Sequence, residues 1–223
     1  MNVKKTKTMI ISKQPKGKRL DIKVDNQSLE QVDKFKYLGT QVCNDGKPDT
    51  EIKNRIIIAK SKFSSMAKIL TSRRLCIPTK LKILKCYVFS IFMYGAEAWT
   101  LSKVLESKIE AFEMWCFRRI GKISWKDKIS NKDVLLKLNT ERQLLLDIQK
   151  RKIMYFGHIK RKNNILTTAL EGKLEGKRPR GRPRNNWFGD IREWTKLLAH
   201  ECTRMAADRR LWSVISRQPS KRR

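Results

Sequence analysis

Chemistry on a phosphodiester needs carboxylates grouped around a metal pair, or a nucleophile beside a base. Asp25, Asp33 and Asp45 stand in or beside turn sequences, where short acidic side chains serve the turn itself. No two aspartates are adjacent anywhere in the chain, and Asp49, Glu51 and Lys53 crowd into one segment, whereas a nuclease needs such groups on separate strands. His158 has no serine or cysteine nucleophile at a recognisable spacing, so it is expected to pack or to touch phosphate rather than to catalyse. Cys43, Cys76, Cys86, Cys116 and Cys202 form no Cys-x-x-Cys pair, and His158 and His200 are the only histidines, which is no zinc pattern. An odd count of 5 cysteines with apolar neighbours predicts reduced, mostly buried thiols in an intracellular compartment. The expectation is a chain with no catalytic residue, no metal ligand and no cofactor of its own.

Its cations tell more. The 223 residues carry 52 Lys+Arg against 21 Asp+Glu, a net charge of +31. Such a field disfavours self-association and draws polyanions, because Lys and Arg release condensed counterions when they neutralise phosphates. With 40% hydrophobic residues the chain still has a core to bury. Nucleic acid, RNA or DNA, is therefore the expected partner. The densest run is Lys177-Arg178-Pro179-Arg180-Gly181-Arg182-Pro183-Arg184. Prolines hold it extended and Gly181 permits close approach, so Arg180 and Arg182 can enter a narrow groove of high negative potential. The core of this run resembles an AT-hook, which implies minor-groove contact with A·T-rich DNA. Nonspecific phosphate binding, nuclear targeting by the basic run and a plain linker stand beside that reading. Trp115 beside Arg118 and Arg119, and Trp187 after Arg184, are placed to stack bases. Helical spacing favours the core for Trp99, Trp115, Trp194 and Trp212, while Trp125 and Trp187 border breaks in the pattern.

Three zones must position these residues. In 1–46, short alternating runs (7–12, 19–24 and 36–42) are separated by Gln14-Pro15-Lys16-Gly17, Asp25-Asn26 and Asn44-Asp45-Gly46, which predicts an antiparallel β-meander. In 47–162 the period lengthens. Ile52, Ile56, Ala59, Phe63, Met66 and Leu70 make one helical stripe; a second helix is predicted after Pro78 with Thr79 as its cap, running to Gly95. A third uses Leu105, Ile109, Phe112, Cys116 and Ile120, a fourth starts at Asn131, and a fifth starts from a Thr140–Gln143 capping box. Glycines and prolines predict a linker without regular helix over 163–186. Short helices through Trp187–Leu198 and Met205–Ile215 and a basic tail fill 187–223. The fold class is α+β, mainly α. No apolar stretch follows the basic start, which predicts no signal peptide, and the apolar run 86–99 is too short for a bilayer and contains Glu97.

Several segments, in order, resemble the C-terminal part of the reverse transcriptase of non-LTR (LINE-like) retrotransposons. They are Asn2 to Met9; Phe35-Lys36-Tyr37-Leu38-Gly39; Tyr94-Gly95-Ala96-Glu97-Ala98-Trp99; Phe112 to Ile120; Trp125; Tyr155-Phe156-Gly157-His158; and Gly181-Arg182-Pro183-Arg184 with Trp187 and Ile191. The resemblance implies that Asn2 to Lys7 end the palm and that Phe35, Lys36, Tyr37, Leu38 and Gly39 form the primer grip, a hairpin holding the growing 3′ end. It implies that the helices from Asp49 to Trp99 are the thumb, which tracks a template-primer duplex through Lys53, Arg55, Lys60 and Lys62, and that the remainder engages template RNA or target DNA. Lys177, Arg178, Arg180, Arg182 and Arg184 complete the expected nucleic-acid contacts.

The departure from that family limits the expected activity. A family polymerase needs Tyr-x-Asp-Asp and a further upstream aspartate, and neither is in this sequence. The magnesium of the full-length enzyme has no ligands here. The chain is expected to be a fragment of an RNA-directed DNA polymerase that binds nucleic acid in the nucleus without polymerising, its palm and fingers belonging to a parent polyprotein. The alternatives are a stand-alone AT-hook-like protein and an inactive pseudogene remnant.

Overall fold

The computed structural model describes residues 2–3, 5–11, 20–24, 26–162, 165–171 and 186–220. The chain divides into two compact units, Met1–Arg55 and Ile56–Arg223.

In the first unit, alternation of residue type persists for only a few residues at a time, and the strands are correspondingly short. β1 (Lys7–Thr8), β2 (Lys23–Val24), β3 (Gln27–Ser28), β4 (Glu30–Gln31), β5 (Lys34–Tyr37) and β6 (Thr40–Cys43) make three separate two-stranded ladders. The expected antiparallel meander is thus corrected. β2 with β3 and β5 with β6 are antiparallel hairpins, but β1 lies parallel to β4, with Lys7 opposite Glu30 and an ion pair between them. Opposite charges at that position favour this register. The Gln14-Pro15-Lys16-Gly17 turn lies outside the described residues.

α1 (Asp49–Ser65) carries the unit boundary, and the second unit continues through α2 (Ala67–Leu70) and α3 (Ile77–Ile83). α3 starts one residue before Pro78, which occupies the first turn where no N–H is needed. The helix runs on through a π-helical segment, Leu84–Phe89, and α4 (Ser90–Phe92) to Gly95, whose φ is +72°. After a 3-10 turn at Ala96–Ala98 come α5 (Lys103–Ile120), a second 3-10 turn at Trp125–Asp127, α6 (Asn131–Leu138) and α7 (Leu144–Arg161). Ser102 and Ser130 cap α5 and α6, and Asn131 is the first residue of α6, where the fourth helix is expected to start.

The Thr140–Gln143 capping box is replaced by a tertiary cap. The Glu113 carboxylate on α5 accepts from Gln143 N at 2.9 Å and Leu144 N at 3.0 Å, both through Oε1. This satisfies orphan donors at the start of α7. Its other oxygen, Oε2, and Gln149 Oε1 are buried without partners on the wall of the same small cavity. Burial raises the Glu113 pKa above its ordinary 4.5, against the opposing pull of the two backbone donors. The folded state therefore holds this proton more tightly than the unfolded chain. Its contribution to stability is complete below pH 4.5 and is lost as pH rises through the folded value. Glu113→Gln, which keeps the acceptor and cannot ionise, is expected to flatten the pH dependence of the urea midpoint above pH 4.5. An unchanged pH profile would count against an ionising buried carboxyl.

α8 (Ile165–Glu171) falls inside the span expected to lack helix, because glycine and proline thicken only after it. α9 (Trp187–Thr195), α10 (Ala199–Ala207) and α11 (Arg209–Arg217) follow, three helices in place of two: a left-handed Lys196 ends α9 before Leu198, and extended backbone at Asp208 divides the span Met205–Ile215 between α10 and α11. α7 is the hub. Leu144, Ile148, Phe156 and Ile159 are buried along one stripe and Ile153 and Gly157 along another, and the helix packs on α5, α8, α9, α10, α11 and the Ala96–Ala98 turn.

Lys152 sits on that apolar stripe and is 0% exposed at its side chain. Its ammonium donates to Asp190 Oδ2 at 2.5 Å and to the Trp99 carbonyl at 2.7 Å, and Asp190 Oδ2 also accepts from Leu101 N at 2.9 Å. The rings of Trp187 and Trp194 lie 5.1 and 5.3 Å from the ammonium. One buried pair thus ties α7, α9 and the 99–101 segment. No helix among the described residues is long and apolar enough to cross a membrane.

Candidate nucleic-acid interface

The hairpin β5–β6 is closed by a turn with positive φ at both central residues, Leu38 (+47°) and Gly39 (+82°). This geometry suits the twist of a two-residue hairpin loop, but a left-handed leucine costs roughly 1–2 kcal/mol. The first turns of α1 offset it. Arg55 Nη2 donates to the Gly39 carbonyl at 2.6 Å, Glu51 Oε2 accepts from Gln41 N at 2.7 Å, and Asn54 Nδ2 donates to Gln41 Oε1 at 2.9 Å. Arg55 Nε and Glu51 Oε1 close the brace at 2.6 Å.

All of β5 faces solvent, and at the tip Tyr37 is 61% and Leu38 74% exposed. A row of Phe35, Lys36, Tyr37 and Leu38 held outward by a fixed support can offer rings and an ammonium to a strand. Arg55 is not part of that display. It is expected to contact nucleic acid, but its guanidinium is buried and bonded to Glu51 and the Gly39 carbonyl, a donor behind a hairpin tip that holds a left-handed leucine. A lysine ammonium lacks the planar fork that serves both partners. Arg55→Lys is expected to speed hydrogen exchange of the β5–β6 amides about tenfold, the loss of one charge-assisted bond. Unaltered protection there would mean that Arg55 does not brace the hairpin.

Lys53, in the first unit, is exposed. In the second unit Lys60 and Lys62 belong to α1; Lys60 is half-buried, its Nζ 5.0 Å from the Trp115 ring, with the Arg119 guanidinium 4.6 Å from the same ring. Trp115 is half-buried, edge-on to Phe63, so two cations ride on an aromatic at the surface of the bundle. Arg118 bonds instead to the Ile129 carbonyl and Asn131. Trp99, Trp194 and Trp212 are in the core, and Trp187 donates to the Glu97 carbonyl while packing on Tyr155 and Phe156. Trp125 is the reverse case, 82% exposed on a turn fixed by the Ser124–Asp127 capping box. Lys177, Arg178, Arg180, Arg182 and Arg184 lie outside the described residues.

Cys43, Cys116 and Cys202 are buried, whereas Cys76 and Cys86 are exposed. Among the described residues no group of three or more His, Cys, Asp or Glu side chains is placed to hold a metal ion.

No family model matches the chain, and no solved structure matches it. It is 26% identical over 198 residues, 85% of this chain and 68% of the relative, to an uncharacterized transposon-derived protein of Caenorhabditis elegans. The chain thus has a transposon relationship.

Proposed function

We propose that the chain is a piece of a retrotransposon RNA-directed DNA polymerase whose own activity is to bind template-primer nucleic acid without extending it. The observation that carries this reading is the braced hairpin, whose exposed Phe35, Lys36, Tyr37 and Leu38 match the segment that the family resemblance assigns to the primer grip. The +31 charge and the transposon-derived relative support it. In this role the hairpin tip bears on the primer end, and Lys53, Lys60 and Lys62 neutralise the duplex backbone. Its place of action is the nucleus, where target DNA is.

Fluorescence anisotropy with a primed RNA–DNA hybrid tests it. Binding that weakens steeply with salt is expected, with a further loss in Lys36→Ala/Tyr37→Ala for a hybrid with a recessed 3′ end relative to a blunt one. Equal affinity for both ends in the unaltered chain and the variant would remove the primer-grip role, and absence of hybrid binding would remove the whole reading. Primer extension with magnesium and dNTPs is expected to give no incorporation.

The AT-hook-like run favours a second reading, a stand-alone DNA-binding protein. Under it, Arg180→Ala with Arg182→Ala abolishes preference for A·T-rich duplex, whereas the first reading has the pair lower affinity modestly and without sequence preference.

A further inference from the structure

Between the C-terminal half of α7 and α11 lies a concavity of about 380 Å³. Its walls include Tyr155, His158 and Arg161 from α7 and Arg209, Ser213 and Ser216 from α11, and among the described residues no carboxylate lines it. Two permanently charged guanidinium residues and three hydroxyl residues line a space that falls in the usual size range of small-ligand sites, roughly 300–1,000 Å³. The arrangement is built rather than incidental. Gly157 has no side chain, so the Trp212 ring lies directly on α7 and donates to the Ile153 carbonyl at 2.7 Å, which brings α11 close. Arg161 Nη1 is pinned to the Ala206 carbonyl at 2.8 Å, and Ser216, 2% exposed, has its hydroxyl oriented by the Ser213 carbonyl at 2.9 Å. The Tyr155 ring is held edge-on by Trp187 at 6.3 Å.

We propose that this concavity is a subsite for one nucleotide of a single-stranded nucleic acid, its phosphate on Arg161 and Arg209 and its base against Tyr155. The inference rests on the nucleic-acid-binding function proposed above. Guanidinium forks match phosphate oxygens, and the space exceeds what a bare phosphate fills. An aromatic wall accepts any base face. A paired base cannot enter without leaving its stack, so the subsite selects single strands over duplex.

The test uses the full chain and a fluorescein-labelled oligouridylate carrying one 4-thiouridine. His158→Gln/Arg209→Gln leaves the Arg161 anchor intact and is expected to weaken single-strand binding about tenfold, with the melting temperature unchanged. The salt slope should become shallower by about 0.7 for each phosphate that the variant no longer neutralises. Crosslinks should fall on the peptide containing Tyr155. Lys103→Gln/Lys108→Gln on α5, both exposed, removes two positive charges away from the concavity, against the single permanent charge of Arg209, and is still expected to cost less than about threefold. Equal losses from both pairs, an equal loss for duplex, competition by a phosphopeptide but not by a mononucleotide, or crosslinks elsewhere would overturn the subsite. If the unaltered chain binds no nucleic acid, the function proposed above falls with it; if it binds and the His158/Arg209 variant binds equally well, only the subsite falls.

Discussion

Lys152→Met is expected to lower the unfolding free energy by about 3–5 kcal/mol, since removing one partner leaves the other as an uncompensated buried charge. Native domains have about 5–15 kcal/mol in total, so this one change takes a large share. The cost arises at Asp190, whose carboxylate would keep the Leu101 N–H but not the ammonium, and at the Trp99 carbonyl, which would lose that donor. Asp190→Asn should cost a comparable amount by stranding the ammonium. The double variant should be markedly better than the sum, because no isolated charge remains while the asparagine oxygen still accepts from Leu101 N. Urea unfolding of the four proteins measures the coupling. Additive losses would mean that the two residues act separately, and a Lys152→Met cost under about 1 kcal/mol would mean that the pair is not buried as described.

Gly157→Ala should destabilise by about 2 kcal/mol, although in an exposed helix the same change stabilises by roughly 1 kcal/mol. An added Cβ would overlap Cδ1 and Nε1 of Trp212 and lie 2.9 Å from Arg161 Nη1. The indole cannot retreat and keep its bond to the Ile153 carbonyl. Overpacking and the broken bond therefore outweigh the gain in backbone propensity. Trp212→Ala is destabilising in itself, but in its background Gly157→Ala should become neutral or stabilising. That reversal of sign, read from thermal or urea midpoints, separates a packing contact from a backbone requirement; a cost that persists without Trp212 would refute the packing contact.

Much of the helical architecture is legible in the sequence because its apolar stripes are long. Leu105, Ile109, Phe112, Cys116 and Ile120 mark α5 within a residue or two, and the mainly helical α+β class follows from such stripes set after short alternating runs. What is not legible depends on contacts distant in sequence. The cap of α7 comes from Glu113 on another helix, so no local motif announces it. α8 is masked by its closeness to the run of glycines and prolines, whose helix-breaking influence stops short of it. At the hairpin, the exposed residues are legible as a segment, but Arg55 resembles a surface cation because one of its partners is a backbone carbonyl that only folding brings near. Lys152 and Asp190 do leave a trace. Each interrupts an apolar stripe, Lys152 midway between Ile148 and Phe156 and Asp190 between Trp187 and Trp194, and polar residues of opposite sign in such places invite pairing.

The same pair sets a schedule for synthesis. Lys152 and Asp190 are separated by 38 residues, and a ribosome adding about 5–20 residues per second makes the second about 2–8 s after the first. Through that interval α7 carries an ammonium on the stripe it must bury, with no carboxylate from Asp190 to meet it. The hub helix therefore cannot dock finally on its neighbours as it emerges, and the bundle closes only when its last third has been made. A chain ended before Asp190 is expected to be cut by proteases at its centre faster than the chain that has it.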